Sequence, residues 1–309
     1  MIRINHVLCP VDFSEVSQHA FDHAAAIAGW YEARLTLLYV FPNLPVLDLP
    51  PLVLEPADRE RLIDKMRRMA EQAPNVPIDV RIQQAANVHE EILAQLEATD
   101  ADLLVLGTHG RSGFQRLFLG SVTEKVIRRA RCPTLVVPPR APDVAPTAPV
   151  RFRRILCPVD FSECSLRALA HAINMAEEAD SRLTLLHVIE TPTVVSPEPA
   201  AIEIDLARTR AAAVAEVRRR LHELIPVEAQ TYCTVETATV EGSAYREIVR
   251  QAADLRSDLI VMGVHGRGAV DVFLFGSTTH HVIRASACPV LIVRGAEKAG
   301  TSTGLVRFR

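Results

Sequence analysis

The chain repeats itself once, and that duplication limits the fold more than any other feature. "INHVLCPVDFSE" from Ile4 and "RRILCPVDFSEC" from Arg153 are the same segment, as are "RLTLLYV" from Arg34 and "RLTLLHV" from Arg182. Pro10 and Pro158 stand 148 residues apart, whereas Gly107 and Gly263 stand 156 apart, so the second copy carries eight extra residues. They fall between its second strand and its third helix. So long a period excludes a solenoid and indicates a duplicated domain. At 309 residues, each copy is long enough to bury a core of its own. The expected layout is a first domain over 1–140, a Pro/Ala-rich linker over 141–149, a second domain over 150–295 and a mobile tail over 296–309. The join "PPRAPDVAPTAP", Pro138 to Pro149, is expected to be extended and semi-stiff.

Within each copy apolar strand-like runs alternate with helical periodicity. The first copy predicts strands at Ile4–Cys9, Leu35–Val40, Ile78–Gln83, Asp102–Leu106 and Thr134–Val137. Helices are predicted after Ser14, around Arg59–Glu71, over His89–Glu97 and from Ser121. Runs such as "DLLVLG", "TLVV", "DLIVMG" and "VLIV" are apolar throughout, as a parallel sheet covered on both faces requires. The fold class is therefore α/β: two tandem doubly wound domains with helices on both faces. Such sheets bind ligands at the carboxyl ends of their strands, where strand order reverses.

"GTHGRSGFQRLFLGS" (107–121) and "GVHGRGAVDVFLFGS" (263–277) both leave from one such end. Gly107 and Gly263 end strands, and Gly110 and Gly266 allow a positive φ or a close approach of the backbone. Gly120-Ser121 and Gly276-Ser277 open helices, whose bare N–H groups and dipole make an anion site without a lysine or a metal. Such loops suit a ribose and phosphates lying along main chain. Arg111 and Arg267 are either phosphate ligands or solvated loop arginines. Walker A is excluded, because no lysine precedes either serine, and "GRGAVD" at Gly266 lacks the third glycine of a dinucleotide fingerprint.

The pattern G-x2-G-x9-G-S resembles the nucleotide-binding branch of the universal stress protein family, here in tandem. With glycine near 7% of average sequence, one chance match in such a chain is about a one-in-a-hundred event, and a second at the matching point makes coincidence untenable. The resemblance covers nearly all of the chain outside linker and tail. It implies five parallel strands per domain in the order 3-2-1-4-5, two pseudo-symmetric domains packed through their last strands, and binding of ATP, with or without Mg²⁺, at little or no turnover. By position it assigns ribose and phosphates to Gly107, Gly110, Gly120, Ser121 and Val122, and to Gly263, Gly266, Gly276, Ser277 and Thr278. Asp12 and Asp160 match its nucleotide-contacting aspartate, and Val40 and Val188 match the residue whose backbone meets the adenine edge.

Local chemistry leaves alternatives for these residues. Asp12 and Asp160 can be helix caps, Val40 and Val188 can be core, and Ser121 with Glu124 reads as a capping box. Copy two keeps a glycine before its third helix, Gly242, where copy one has "AAN".

Other function classes find little support. A formal charge of −3 and 5% aromatic residues give no footprint for nucleic acid. No apolar run reaches the roughly 18 residues that span a bilayer, and Pro10 and Asp12 interrupt any signal-like stretch, so a cytoplasmic protein without a membrane partner is expected. The six cysteines contain no C-x-x-C pair and read as buried thiols, with a redox role for one as the alternative. His109, His265 and the adjacent His280-His281 read as loop hydrogen-bonders rather than metal ligands, and no repeated carboxylate pair suggests efficient catalysis. Three readings remain: a nucleotide-binding regulatory protein acting on a protein partner not named by the sequence, a slow ATPase or phosphate-transfer enzyme, and a partner-binding scaffold with vestigial pockets. In each the chain is an intramolecular pseudo-dimer, with a further homodimer open.

Overall fold

The computed structural model describes residues 3–43, 54–108, 119–147, 152–190, 200–264 and 276–294, with backbone alone over 200–209. Gly110, Arg111, Gly266, Arg267 and the expected tail lie outside the described residues. The first half runs β1 (His6–Pro10), α1 (Glu15–Trp30), β2 (Arg34–Pro42), α2 (Pro56–Ala70), β3 (Ile78–Ala85), α3 (Val88–Thr99), β4 (Leu103–Gly107), α4 (Ser121–Arg129) and β5 (Thr134–Val137). The second half runs β6 (Arg154–Pro158), α5 (Glu163–Ala179), β7 (Arg182–Ile189), α6 (Ala200–Glu223), α7 (Ala229–Tyr232), β8 (Thr234–Glu241), α8 (Ala244–Asp254), β9 (Leu259–Gly263), α9 (Ser277–Ala285) and β10 (Val290–Val293). The extra residues of the second copy lengthen α6 to 24 residues against 15 in α2, and add α7.

The strands form one ten-stranded sheet in the order β3-β2-β1-β4-β5-β10-β9-β6-β7-β8. Each half is thus a parallel 3-2-1-4-5 sheet, and the two meet where β5 and β10 pair antiparallel. The register is Val136↔Val290, Leu135↔Leu291 and Thr134↔Ile292. Leu135 therefore faces its own counterpart, and the pseudo-twofold axis passes through that pair. Every residue of both strands is buried, so the join is itself part of the core.

The two faces of the sheet are built differently. On one, α1, α2, α5 and α6 cover a single apolar cluster that runs through both halves, from Phe21 and Leu37 to Leu185 and Val293. On the other, two clusters form. One, with Leu8, Leu38 and Val126, lies under α3 and α4. The second, with Leu156, Ile260 and Val282, lies under α8 and α9 and also takes in Leu119 and Val136 of the first half.

The join departs from the extended linker expected of its composition. The Ala141 N–H donates to the Pro138 carbonyl at 3.0 Å, closing a turn, and the Ala141 side chain is buried in the shared core. Asp143 lies 3.3 Å from His19 on α1. Alanine makes the difference: proline suppresses helix, but a small apolar side chain still gains by burial.

Candidate functional site

The turn that follows β1 is built identically in both halves. Ser14 is the N-cap of α1, and its Oγ accepts from the Ser17 N–H at 3.2 Å. Asp12 is therefore not the cap. Its Oδ1 instead accepts from the Ser14 N–H at 3.0 Å and from the Ser14 hydroxyl at 2.6 Å, which fixes the carboxylate beside the strand end. Asp160 and Ser162 repeat this at 3.0 and 2.5 Å, and Ser162 caps α5.

Between aspartate and serine lies a strained residue that sequence reasoning missed. Phe13 has φ 64° and Phe161 φ 63°, a left-handed conformation unfavourable for a bulky side chain. Each ring is held from both sides. Phe13 stacks on Tyr39 of β2 at 5.1 Å, with Lys65 of α2 4.0 Å above its centroid. Phe161 packs on His187 of β7 at 5.0 Å, with Arg220 of α6 at 4.0 Å. Aromatic packing and cation–π attraction offset the backbone cost. The only sequence signal was recurrence of the Phe itself in the two "PVDFS" segments.

The geometry of β2 turns main chain toward the same place. Arg34 N–H donates to Asn5 and Val11 N–H donates to Leu38 O, whereas Leu35 N–H donates to Pro77 O. Even-numbered residues of β2 thus direct their backbone groups toward β1, and Val40 lies beyond the last β1 pair, Pro10↔Leu38. By that alternation its amide and carbonyl are directed to the side past the end of β1. The side chain packs in the core under α3. Val40 is therefore core by side chain, as one of its two readings has it. The Val159 N–H to Leu186 O bond sets Val188 the same way.

The third wall is the start of α4. Gly120 is its N-cap, and the Gly120 N–H donates to Thr108 O at 2.8 Å; Gly276 repeats this with Val264 at 3.1 Å. These two amides are thus already paired. The unpaired donors begin one residue later, at Ser121, Val122 and Thr123 and at Ser277, Thr278 and Thr279, with no backbone partner among the described residues. The Thr123 hydroxyl ties the helix to Gly107 O at 2.9 Å, and Thr279 to Gly263 O at 3.0 Å.

One other expectation is corrected. The capping box does not form: with Gly120 as cap, Ser121 is already helical, and Glu124 pairs with Arg128 at 2.6 Å instead. Gly107 and Gly263 also have a packing role. A Cβ on Gly107 would come within 2.7 Å of the Val16 side chain, and one on Gly263 within 2.8 Å of Cys164 backbone, so the first turn of α1 or α5 fills that space. Of the cysteines, Cys164 alone is half-buried; the other five are buried, and burial pushes the Cys9 and Cys157 thiols up.

Asp12, Val40 and the start of α4 thus all lie at the carboxyl ends of β1, β2 and β4. These are sheet neighbours around the β1/β4 switch point, and Asp160, Val188 and α9 do the same around β6/β9. No described helix is long and apolar enough to cross a membrane.

The universal stress protein family model matches residues 3–138 and again 151–294. The chain belongs to the universal stress protein family. A universal stress protein of Methanocaldococcus jannaschii is 36% identical over 138 residues, 42% of this chain and 80% of its own length. One from Mycobacterium tuberculosis is 25% identical over 299 residues, spanning 93% of this chain and 96% of its own, so it shares the tandem layout. The crystal structure of a universal stress protein from Archaeoglobus fulgidus covers 96% of this chain and 100% of its own at a TM-score of 0.63 and 21% identity, a likeness of fold.

Proposed function

We propose that each half of this universal stress protein offers a seat for an adenine nucleotide, ATP with or without Mg²⁺, and that the chain acts as a nucleotide-binding regulator of a protein partner. The observation that carries this reading is the open row of amides at the start of α4 and α9. By topology they start at the same end of the sheet as Val40 and Val188. A triphosphate fits the helix end, where unpaired N–H groups and the dipole favour anions. A purine edge, with one donor and one acceptor, fits a strand backbone, which carries both groups. Asp12 and Asp160, already oriented by their serines, stand beside the strand end between these two points. The arginines Arg111 and Arg267 and the glycines Gly110 and Gly266 belong to the same proposal by sequence position.

Calorimetric titration with ATP tests it. Gly120 sits at φ −59° and ψ 138°, and Gly276 at −59° and 132°, a region open to any residue. A valine there tests space near the helix end without straining the backbone. The double variant Gly120→Val/Gly276→Val is expected to lose at least tenfold in ATP affinity with its circular dichroism unchanged. Unchanged affinity in the folded double variant overturns the assignment. Phosphate release over long incubation separates a slow ATPase from a binder.

A further inference from the structure

The two crevices share their main-chain frame but not their rims. At the equivalent positions 90/246 and 125/281 the first half has Glu90 and Lys125, and the second has Arg246 and His281. With histidine neutral, those two positions carry no net charge in the first half and +1 in the second. Glu124 of α4, paired with Arg128, and its equivalent His280 interact with each other across the join and belong to neither rim alone. The first turn of α3, which packs against α4, adds Glu90 and Glu91. The first turn of α8 keeps only Glu247.

The second rim is also tied together. Arg246 Nε donates to the Tyr245 hydroxyl at 3.0 Å, and the Tyr245 ring stacks on His281 at 4.7 Å and 29°. His281 Nδ1 donates to Ser277 O at 2.6 Å. These contacts link the start of α8, with its Arg246, to Ser277, the first residue of α9. The first half has His89 and Lys125 at the corresponding places, so no such stack can form. Thr278 adds a hydroxyl where Val122 has a methyl. Gly242, at φ 147°, carries the second crevice past the end of β8 with no side chain, where the first half has Ala86.

We infer that the two seats are unequal, and that the second half, with Arg246, Tyr245, His281 and Thr278 around the start of α9, is the tighter seat for a polyphosphate nucleotide. This rests on the reading of function given above. The inequality is mainly electrostatic, so it narrows as salt screens the rim.

The experiment titrates ATP into the full chain by calorimetry at low and high salt. The native protein is expected to show two classes of site at least tenfold apart. Tyr245→His/Arg246→Glu should lower the tighter class toward the weaker. His89→Tyr/Glu90→Arg should raise the weaker toward the tighter. Equal native sites, or a tighter class that responds only to the His89/Glu90 pair, overturns the inference while leaving the proposed function standing. No binding in the native protein or either variant overturns the proposed function itself.

Discussion

The two halves of this molecule are a duplication experiment with its control included. What has stayed the same is main chain: the hydrogen bonds of the Asp–Phe–Ser turn and of the threonine tie agree to within about 0.1 Å, the left-handed phenylalanines sit at φ 64° and 63°, and the same glycine N-cap bond recurs at 2.8 and 3.1 Å. What has changed is side chain at the rim and the element over β8, where α6 and α7 replace α2. Backbone conformations at strand and helix ends are thus the constrained part of this architecture. Charge and ring chemistry around them are where the copies diverge.

The sharpest test of that contrast concerns the strand-ending glycines. At Gly107 a Cβ would meet the Val16 methyl at 2.7 Å, with the Val16 carbonyl oxygen and carbon farther off at 3.1 and 3.3 Å; at Gly263 it would meet the carbonyl carbon, Cβ and oxygen of Cys164 at 2.8 to 2.9 Å, so backbone crowds it more closely. Overpacking a core costs about 1–3 kcal/mol, least where a side chain can yield. Gly263→Ala is expected near about 3 kcal/mol and Gly107→Ala near about 1 kcal/mol, read from urea midpoints. Equal losses would mean that the two helix approaches are equivalent after all.

A second asymmetry concerns the equivalent histidines His23 and His171. His23 Nδ1 donates to His19 O at 2.9 Å. His171 lines a small apolar cavity at the join with Ile4, Ile27, Phe152, Met175 and Leu291, in which Asp102 is the other ionisable group. Burial pushes His171 down to about 4 and lowers His23 as well. A depressed imidazole is neutral in the folded state while the unfolded chain takes up a proton. Stability is then intact above pH 6.5 and falls as the pH drops toward about 4. At about 1.4 kcal/mol per unit, discounted for partial solvent access, His171 contributes about 2 kcal/mol to this loss. His171→Leu should flatten the acid limb of a stability–pH curve by that amount. An unchanged limb would place the acid sensitivity elsewhere.

Much of this arrangement was legible in the sequence because its signals are local or periodic. The buried strands are continuous apolar runs, and β5 falls at Thr134–Val137 as predicted. The glycine spacing marked both helix starts, and the serine of "PVDFS" marked both caps. What could not be read depends on distant contacts. Gly107 owes its identity to Val16, across the β1/β4 neighbours, and nothing near residue 107 in the chain says so. The Ser121–Glu124 pair looked like a capping box because sequence does not reveal that the preceding glycine has already taken the cap position. Phe13 is held in an unfavourable conformation by Tyr39 and Lys65, which only the fold brings to it.

The smallest expected effect is the most exacting test of likeness. Ser14 and Ser162 each accept from the amide three residues on, at 3.2 and 3.3 Å, and each donates its hydroxyl to the preceding aspartate. Alanine at either position removes the cap and leaves the aspartate one partner short, at a cost of about 1 kcal/mol or somewhat more. Because the geometry is the same, Ser14→Ala and Ser162→Ala should lower the urea midpoint by equal amounts and, being far apart, should add in the double variant. Unequal losses would show that the longer α6, whose Arg220 covers Phe161, supports the second turn more than α2 and Lys65 support the first. The main-chain identity of the two halves would then hide a difference in local stability.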